Sequence, residues 1–180
     1  MNIALRLLLT LTVAVALAAC KTTEPVTDTT DDTTTTTDTP APVEDVTTSA
    51  APDPRDYSDA RNFENSESLL SKRVIYFDFD KSNVKAEYRS IVAAHAAYMG
   101  AHSSARVTLE GHADERGTRE YNLGLGERRG NSVTGLLSAG GASGSQLDVV
   151  SYGEERPVCR VSNEDCWWQN RRVEIVYTAR

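Results

Sequence analysis

The stretch EGHADERGTREYNLGLGERRG, residues 110–130, holds five glycines, four arginines, five acids and a histidine. An ordinary surface helix spreads its charges over many turns. Here they crowd around a strand, a glycine-bounded loop and the start of a helix. Arg106–Glu110 alternates and reads as a strand, Gly111–Gly117 as the loop that leaves it, and Thr118–Ala139 as a helix stopped by Gly140 and Gly141. Counting back from Leu136 and Val133, Arg129 falls four residues before Val133, and Leu125 four before that. Arg129 therefore shares the apolar stripe, while Arg128 points elsewhere beside Glu127. A guanidinium aimed inward needs an anion, and Asp114 in the preceding loop is one candidate. A salt bridge pinning loop to helix and a site for a charged ligand both fit these two residues.

The flanks follow the same rules. Arg73–Phe79 is rich in β-branched and aromatic residues and reads as a strand. Ser82 and Asn83 can cap a helix whose stripe is Val84, Tyr88, Ile91, Val92, His95, Tyr98 and Met99, with Gly100 at its end. Leu147–Tyr152 and Arg172–Thr178 supply two further strands. The expected fold class is α+β, a two-layer sandwich with helices packed on one face of a mixed four-stranded sheet.

Ahead of this domain the chain changes character. Asn2 and Arg6 precede or open an apolar run, Leu7–Ala19, of thirteen residues. A membrane-spanning helix needs about 20, so residues 1–19 read as a secretion signal. The run ends in Leu17-Ala18-Ala19-Cys20, which resembles a bacterial lipobox, so Cys20 is the expected lipidated N-terminus and membrane anchor. Lys21 stands where Asp often marks inner-membrane retention, which by that resemblance points to the outer membrane. Residues 22–39 contain eleven threonines, and five of the six prolines lie between 25 and 54. So little apolar surface cannot offset the entropy of ordering, and residues 20–71 read as a linker. Charge follows the same division: residues 20–60 carry −8, whereas residues 61–180 carry 16 basic and 16 acidic groups. A neutral domain lacks the basic face that nucleic acid demands. Cys159 and Cys166 are oxidisable in an exported protein, and the six-residue gap suits a small disulfide loop.

Four segments together, YFDFDKSNV, EGHADERGTREYNLGLGERRGNSV, VSYGEERP and NRRVEIVY, resemble the OmpA-like peptidoglycan-binding domain family, most closely its lipoprotein members. The similarity covers residues 72–180. It implies noncovalent binding of peptidoglycan through the diaminopimelate of the stem peptide, whose side chain ends in an ammonium and a carboxylate on one carbon. By the same resemblance Asp114 takes the ammonium and Arg129 the carboxylate, with Asn122 and Leu123 near the ligand and Asp78 and Phe79 on the other side. Backbone N–H groups in the first helical turn are further candidate donors. The resemblance also implies the Tol envelope system, with TolB and TolA as partners, and no cofactor. A wall-anchoring lipoprotein outside that system fits the same residues. Gly130 stands where the family usually has alanine and Gly124 where serine is common, each costing about 1 kcal/mol in a helix.

Other residues have plainer readings. His112, near Glu110, Asp114 and Glu115, could serve as a metal ligand or base; a backbone hydrogen bond at the strand end is the expectation. His95 belongs to the core stripe and His102 to solvent. Arg171 and Arg172 read as packing and salt-bridge residues at a strand start, and one of Trp167 and Trp168 as a cap on the core. A hydrolase is not expected. Glu110, Asp114 and Glu115 lie on one short loop with no second carboxylate placed opposite them.

Overall fold

The computed structural model describes residues 50–180. Cys20 and the expected signal segment lie outside the described residues. The main elements in chain order are β1 (Val74–Tyr76), α1 (Arg89–Ala101), β2 (Arg106–His112), α2 (Arg119–Ala139), β3 (Leu147–Gly153), α3 (Glu164–Asn170) and β4 (Arg172–Ala179). The sheet order is β1-β4-β2-β3. β4 is antiparallel to both β1 and β2, whereas β2 and β3 run parallel, with α2 as the crossover between them. The expected mixed four-stranded sheet with helices laid on it is what the chain forms.

Alternation along the strands decides which face is covered. Val107 and Leu109 of β2, Val173 and Ile175 of β4, and Ile75 of β1 are buried and meet α1 and α2. The intervening Glu110, Thr108 and Glu174 face the other way. On α2 the buried residues Leu125, Arg129, Val133 and Leu137 recur every fourth position. The stripe thus ends on Leu137, with Leu136 only partly buried against the core.

Several boundaries differ from expectation for physical reasons. β1 is only three residues long. Beyond Tyr76 the Phe77 N–H still donates to the Arg171 carbonyl, but Asp80 then adopts φ 54° and turns the chain away. Ser82 and Asn83 cap nothing, because a 3₁₀ turn, Ala86–Tyr88, leads into α1 and delays it to Arg89. Gly100 lies inside α1. β2 runs on through Gly111, which pairs with Val173, to His112, which pairs with Gly153. α3 was not anticipated; Asn163 caps it by accepting from the Cys166 N–H. The domain also starts before the expected boundary at residue 72. Phe63 and Leu70 are buried in the core, Phe63 meeting Tyr98 and Tyr177 edge-on at 4.7 Å each.

Two backbone contacts bring α2 down onto the sheet. A Cβ on Gly111 would lie 2.0 Å from the Gly126 carbonyl oxygen, and a Cβ on Gly126 would lie 2.3 Å from Ser151 Oγ and 2.8 Å from the Gly111 oxygen. Gly130 is similarly tight, 2.5 Å from Val149 Cγ1. The glycines that weaken the isolated helix are therefore what permits its close packing. Gly126→Ala should cost about 2 kcal/mol or more by forcing helix from strand, despite a gain of about 1 in propensity. Gly135 has open space around it, so Gly135→Ala should stabilise by about 0.5–1 kcal/mol. Urea titration of both variants measures the contrast, and equal effects would remove the close-packing account.

Two histidines make the fold acid-sensitive. His95 is fully buried, its Nε2 3.0 Å from the Lys72 carbonyl and its Nδ1 3.0 Å from Tyr177 Oη. A carbonyl can only accept, so Nε2 carries the proton and Nδ1 accepts from the tyrosine. Burial lowers its pKa from 6.5 to about 4. Burial likewise lowers His112 to about 4, with Arg172 adding to the effect. A depressed folded-state pKa means the unfolded chain takes up protons first as pH falls. Stability should therefore be level above pH 6.5, decline as pH falls from 6.5 to about 4, and level off below. The cost is on the order of 3 kcal/mol for each histidine. Melting temperature against pH should show this slope, and His95→Gln should remove about half of it; an unchanged slope would exclude His95 as a source.

Candidate functional site

Arg129 is the largest fully buried side chain among the described residues, at 0% exposure. Its stripe position sends it to the end of β2 and the chain after β1, where backbone carbonyls receive it. Nε donates to the Lys81 carbonyl at 2.8 Å, Nη1 to His112 at 2.7 Å and Nη2 to Asp78 at 3.0 Å. Its guanidinium also lies 5.2 Å from the Phe77 ring centroid. Burial lowers its pKa to about 10, which leaves it charged at neutral pH. Three of its five N–H groups are used, and one remains on each terminal nitrogen.

The salt bridge that the sequence allowed between Arg129 and Asp114 is not formed. Among the described residues Arg129 has no carboxylate within ion-pair distance. Asp114, 4% exposed, is engaged by Arg116 at 2.7 Å and by Arg171 at 3.2 Å. Burial pushes the Asp114 pKa up, but hydrogen bonds from the Arg116 side chain and backbone and from Arg171 outweigh it. The carboxyl group therefore sits below its usual range and is ionised.

Asp114 and Arg129 are both among the residues that line one cavity of about 180 Å³. Phe79, Asp80, Arg116, Gly117, Tyr121, Asn122 and Leu125 complete its lining. Of the expected residues it thus gathers Asp114, Arg129, Asn122 and Phe79. Asn122 is held by its amide, which donates to the Asp114 and Arg116 carbonyls and to Glu154. Phe79 is 54% exposed at the rim. Leu123 does not line the cavity; its carbonyl accepts from Ser151 Oγ on β3. The Asp78 carboxylate pairs with Lys85 at 3.0 Å, and only its carbonyl serves Arg129. Two first-turn donors of α2 are already taken: the Tyr121 N–H by Thr118 Oγ1 and the Asn122 N–H by the Thr118 carbonyl.

Sequence reasoning did not show how several residues in and beside this cavity are used. Asp80 accepts from Tyr121 Oη and, with its positive φ, sits in a conformation that non-glycine residues adopt at a cost of about 1–3 kcal/mol. Its only advance signal was the dipeptide that follows Phe79. Arg171 ties the Phe77 carbonyl to Asp114 and Glu164. Arg116 forks Asp114 and lies between two aromatic rings, a choice of side-chain direction that no spacing reveals. His112 is also unlike its expectation: neither ring nitrogen has a hydrogen-bond partner, and Glu174 is 3.9 Å from Nε2. Its carbonyl, rather than its ring, belongs to the site. Cys159 and Cys166 form a disulfide across the start of α3.

Comparison with known proteins agrees with this architecture. Residues 76–170, more than half of the chain, match the OmpA family. The chain belongs to that family. Peptidoglycan-associated lipoproteins of Pseudomonas putida and Pasteurella multocida are 51% and 46% identical to it, over 60% and 57% of this chain. The matched segment spans 64% of the P. putida protein and 69% of the P. multocida one. The crystal structure of the peptidoglycan-associated lipoprotein from Burkholderia pseudomallei superposes with a TM-score of 0.63 at 40% identity, covering 64% of this chain and 98% of that one. The OmpA-like α+β sandwich expected from sequence is thus the fold of this chain and of its relatives.

Proposed function

We propose that this OmpA-family chain is an outer-membrane lipoprotein that grips peptidoglycan noncovalently and tethers the membrane to the wall. One observation carries the ligand assignment. A buried, charged Arg129 has no carboxylate of its own, and it shares a cavity with an ionised Asp114. A carboxylate reaching the two remaining Arg129 N–H groups meets a charge-assisted fork, while an ammonium on the same carbon lies toward Asp114. Diaminopimelate in the stem peptide has that end group. Lysine, the common alternative, lacks the carboxylate and leaves the Arg129 charge without an anion.

A binding role, rather than hydrolysis, is the reading the charges favour. A general acid needs a raised pKa, and two arginines hold that of Asp114 down. The names of the relatives support a cell-envelope lipoprotein, and the Leu-Ala-Ala-Cys sequence supports acylation at Cys20 with residues 20 onward as the mature chain. Participation in the Tol system, with TolB and TolA as protein partners in envelope integrity and cell division, rests on the family resemblance. No nucleic acid and no cofactor enter this reading.

Mass spectrometry of the membrane-extracted protein should find an N-terminal, acylated Cys20, and Cys20→Ser should be left unprocessed or released from the membrane. An unmodified cysteine, or cleavage elsewhere, sinks the lipoprotein assignment. The ligand assignment is tested on the wild type, because Arg129 also holds the fold together. The diaminopimelate tripeptide should bind roughly ten- to a hundredfold more tightly than the lysine tripeptide, the worth of one charge-assisted contact. A folded Asp114→Asn should lose roughly tenfold on the former. Equal affinity for the two peptides would show that Arg129 serves structure alone.

A further inference from the structure

Asp114 carries two cations, Arg116 and Arg171. Arg116 folds back on it: Nε donates to Oδ1 at 3.1 Å, Nη2 to Oδ2 at 2.7 Å, and the Arg116 N–H to Oδ1 at 3.1 Å. Arg171 Nη1 reaches Oδ2 at 3.2 Å. These two guanidiniums are not equally fixed. Arg171 is 7% exposed in its side chain and is also bound to the Phe77 carbonyl and to Glu164, so it cannot leave without opening the domain. The Arg116 side chain is 30% exposed, and its other side-chain partners are two aromatic rings and a second carboxylate. The Phe79 ring is 4.0 Å from it on one side, the Trp167 ring 4.1 Å on the other, and Glu164 is at 3.5 Å.

We propose that Arg116 is a latch on Asp114: its guanidinium stands where the ligand's ammonium will bind, and the ligand enters by exchanging one cation for the other at Asp114. This rests on the reading of Asp114 as the ammonium acceptor. The exchange is physically cheap in one direction only. Arg116 leaves Asp114 toward Glu164, its position over the Trp167 ring changing as it does so, and Asp114 keeps a paired charge throughout, so no buried carboxylate stands alone. A ligand without an ammonium has nothing to offer Asp114 and cannot displace the fork. The disulfide and α3 have a place in this device, because α3 carries both Trp167 and Glu164.

The test uses the full-length chain and three tripeptides whose third residue is diaminopimelate, lysine, or 2-aminopimelate, which keeps the carboxylate and lacks the amino group. Arg116→Gln should bind the diaminopimelate peptide roughly tenfold more tightly than wild type, while aminopimelate binding moves by less than about twofold. Arg116→Lys, which keeps charge and loses the fork, should fall between. In Trp168→Phe protein the remaining Trp167 reports its stacked partner, so its emission should shift on titration with diaminopimelate peptide and not with aminopimelate peptide. The melting temperature of each variant checks its fold, and the fluorescence arm needs no change at Arg116. Unchanged or weaker diaminopimelate binding in Arg116→Gln, or an equal gain for both peptides, overturns the latch, as does a silent Trp167. A wild type that binds diaminopimelate and lysine peptides alike sinks the site reading and the latch with it, so the two failures are told apart.

Discussion

A guanidinium with no exposure and three carbonyl partners is the constraint on which the domain's functional end depends. Arg129 reaches the chain after β1 through Asp78 and Lys81 and the end of β2 through His112. Arg171 adds the Phe77 carbonyl from the other side. The segment 77–81 has almost no regular partner of its own, so these bonds to arginine are what give it one position. A buried ion without a counter-charge costs several kcal/mol even after relaxation. Carbonyl dipoles offset part of that cost and leave the charge itself unneutralised. A stable fold thereby retains an unneutralised charge in the lining of the cavity.

Placement of that cavity follows from topology. β2 and β3 are parallel, so their connection must cross over, and α2 is the crossover. The strand end and the helix start are then brought close by the chain itself, with the loop carrying Asp114 between them. Open sheets present their ligands at such carboxyl ends of strands. Asn122 secures the loop by taking the Asp114 and Arg116 carbonyls, which fixes where the acid points.

Legibility in the sequence tracked periodicity. The α2 stripe was readable because Leu125, Arg129 and Val133 recur at a spacing that only a helix uses, and a cation on that stripe is an anomaly visible without coordinates. β4 and β2 were readable from alternation. α3 was not, since seven residues are too few for a period to emerge. The stretch before residue 72 was hidden by its polarity: Phe63 and Leu70 are isolated apolar residues whose burial only the tertiary contacts reveal. At the site, residue type and spacing located Asp114 and Arg129 but not how they are used. Whether Asp114 turns to Arg129 or to Arg116 and Arg171 is a rotamer and loop decision, and nothing in a one-dimensional pattern encodes it. Leu123 and Asp78 lie outside the cavity lining for a related reason: what both contribute is a carbonyl, and a carbonyl is the same at every residue.

The glycines join fold to chemistry. Arg129 can reach three carbonyls only if the α2 axis lies very near the β2 backbone. At Gly111 and Gly126 the two backbones meet where a single Cβ would stand 2.0 Å from an oxygen. One turn along, Gly130 lies directly against Val149. Moving the helix out by the width of a methyl group, on the order of an ångström or more, would lengthen all three bonds past the range in which they count as hydrogen bonds. The same shift would carry Arg129 away from the carbonyls of Asp78 and Lys81 while Asp114, held by Arg171, stayed behind. Acid and base would then no longer face one cavity. The cost that these glycines impose on the helix, about 1 kcal/mol each, is thus set against the geometry of the charged site as well as against packing, and helix propensity alone is the wrong measure for that segment.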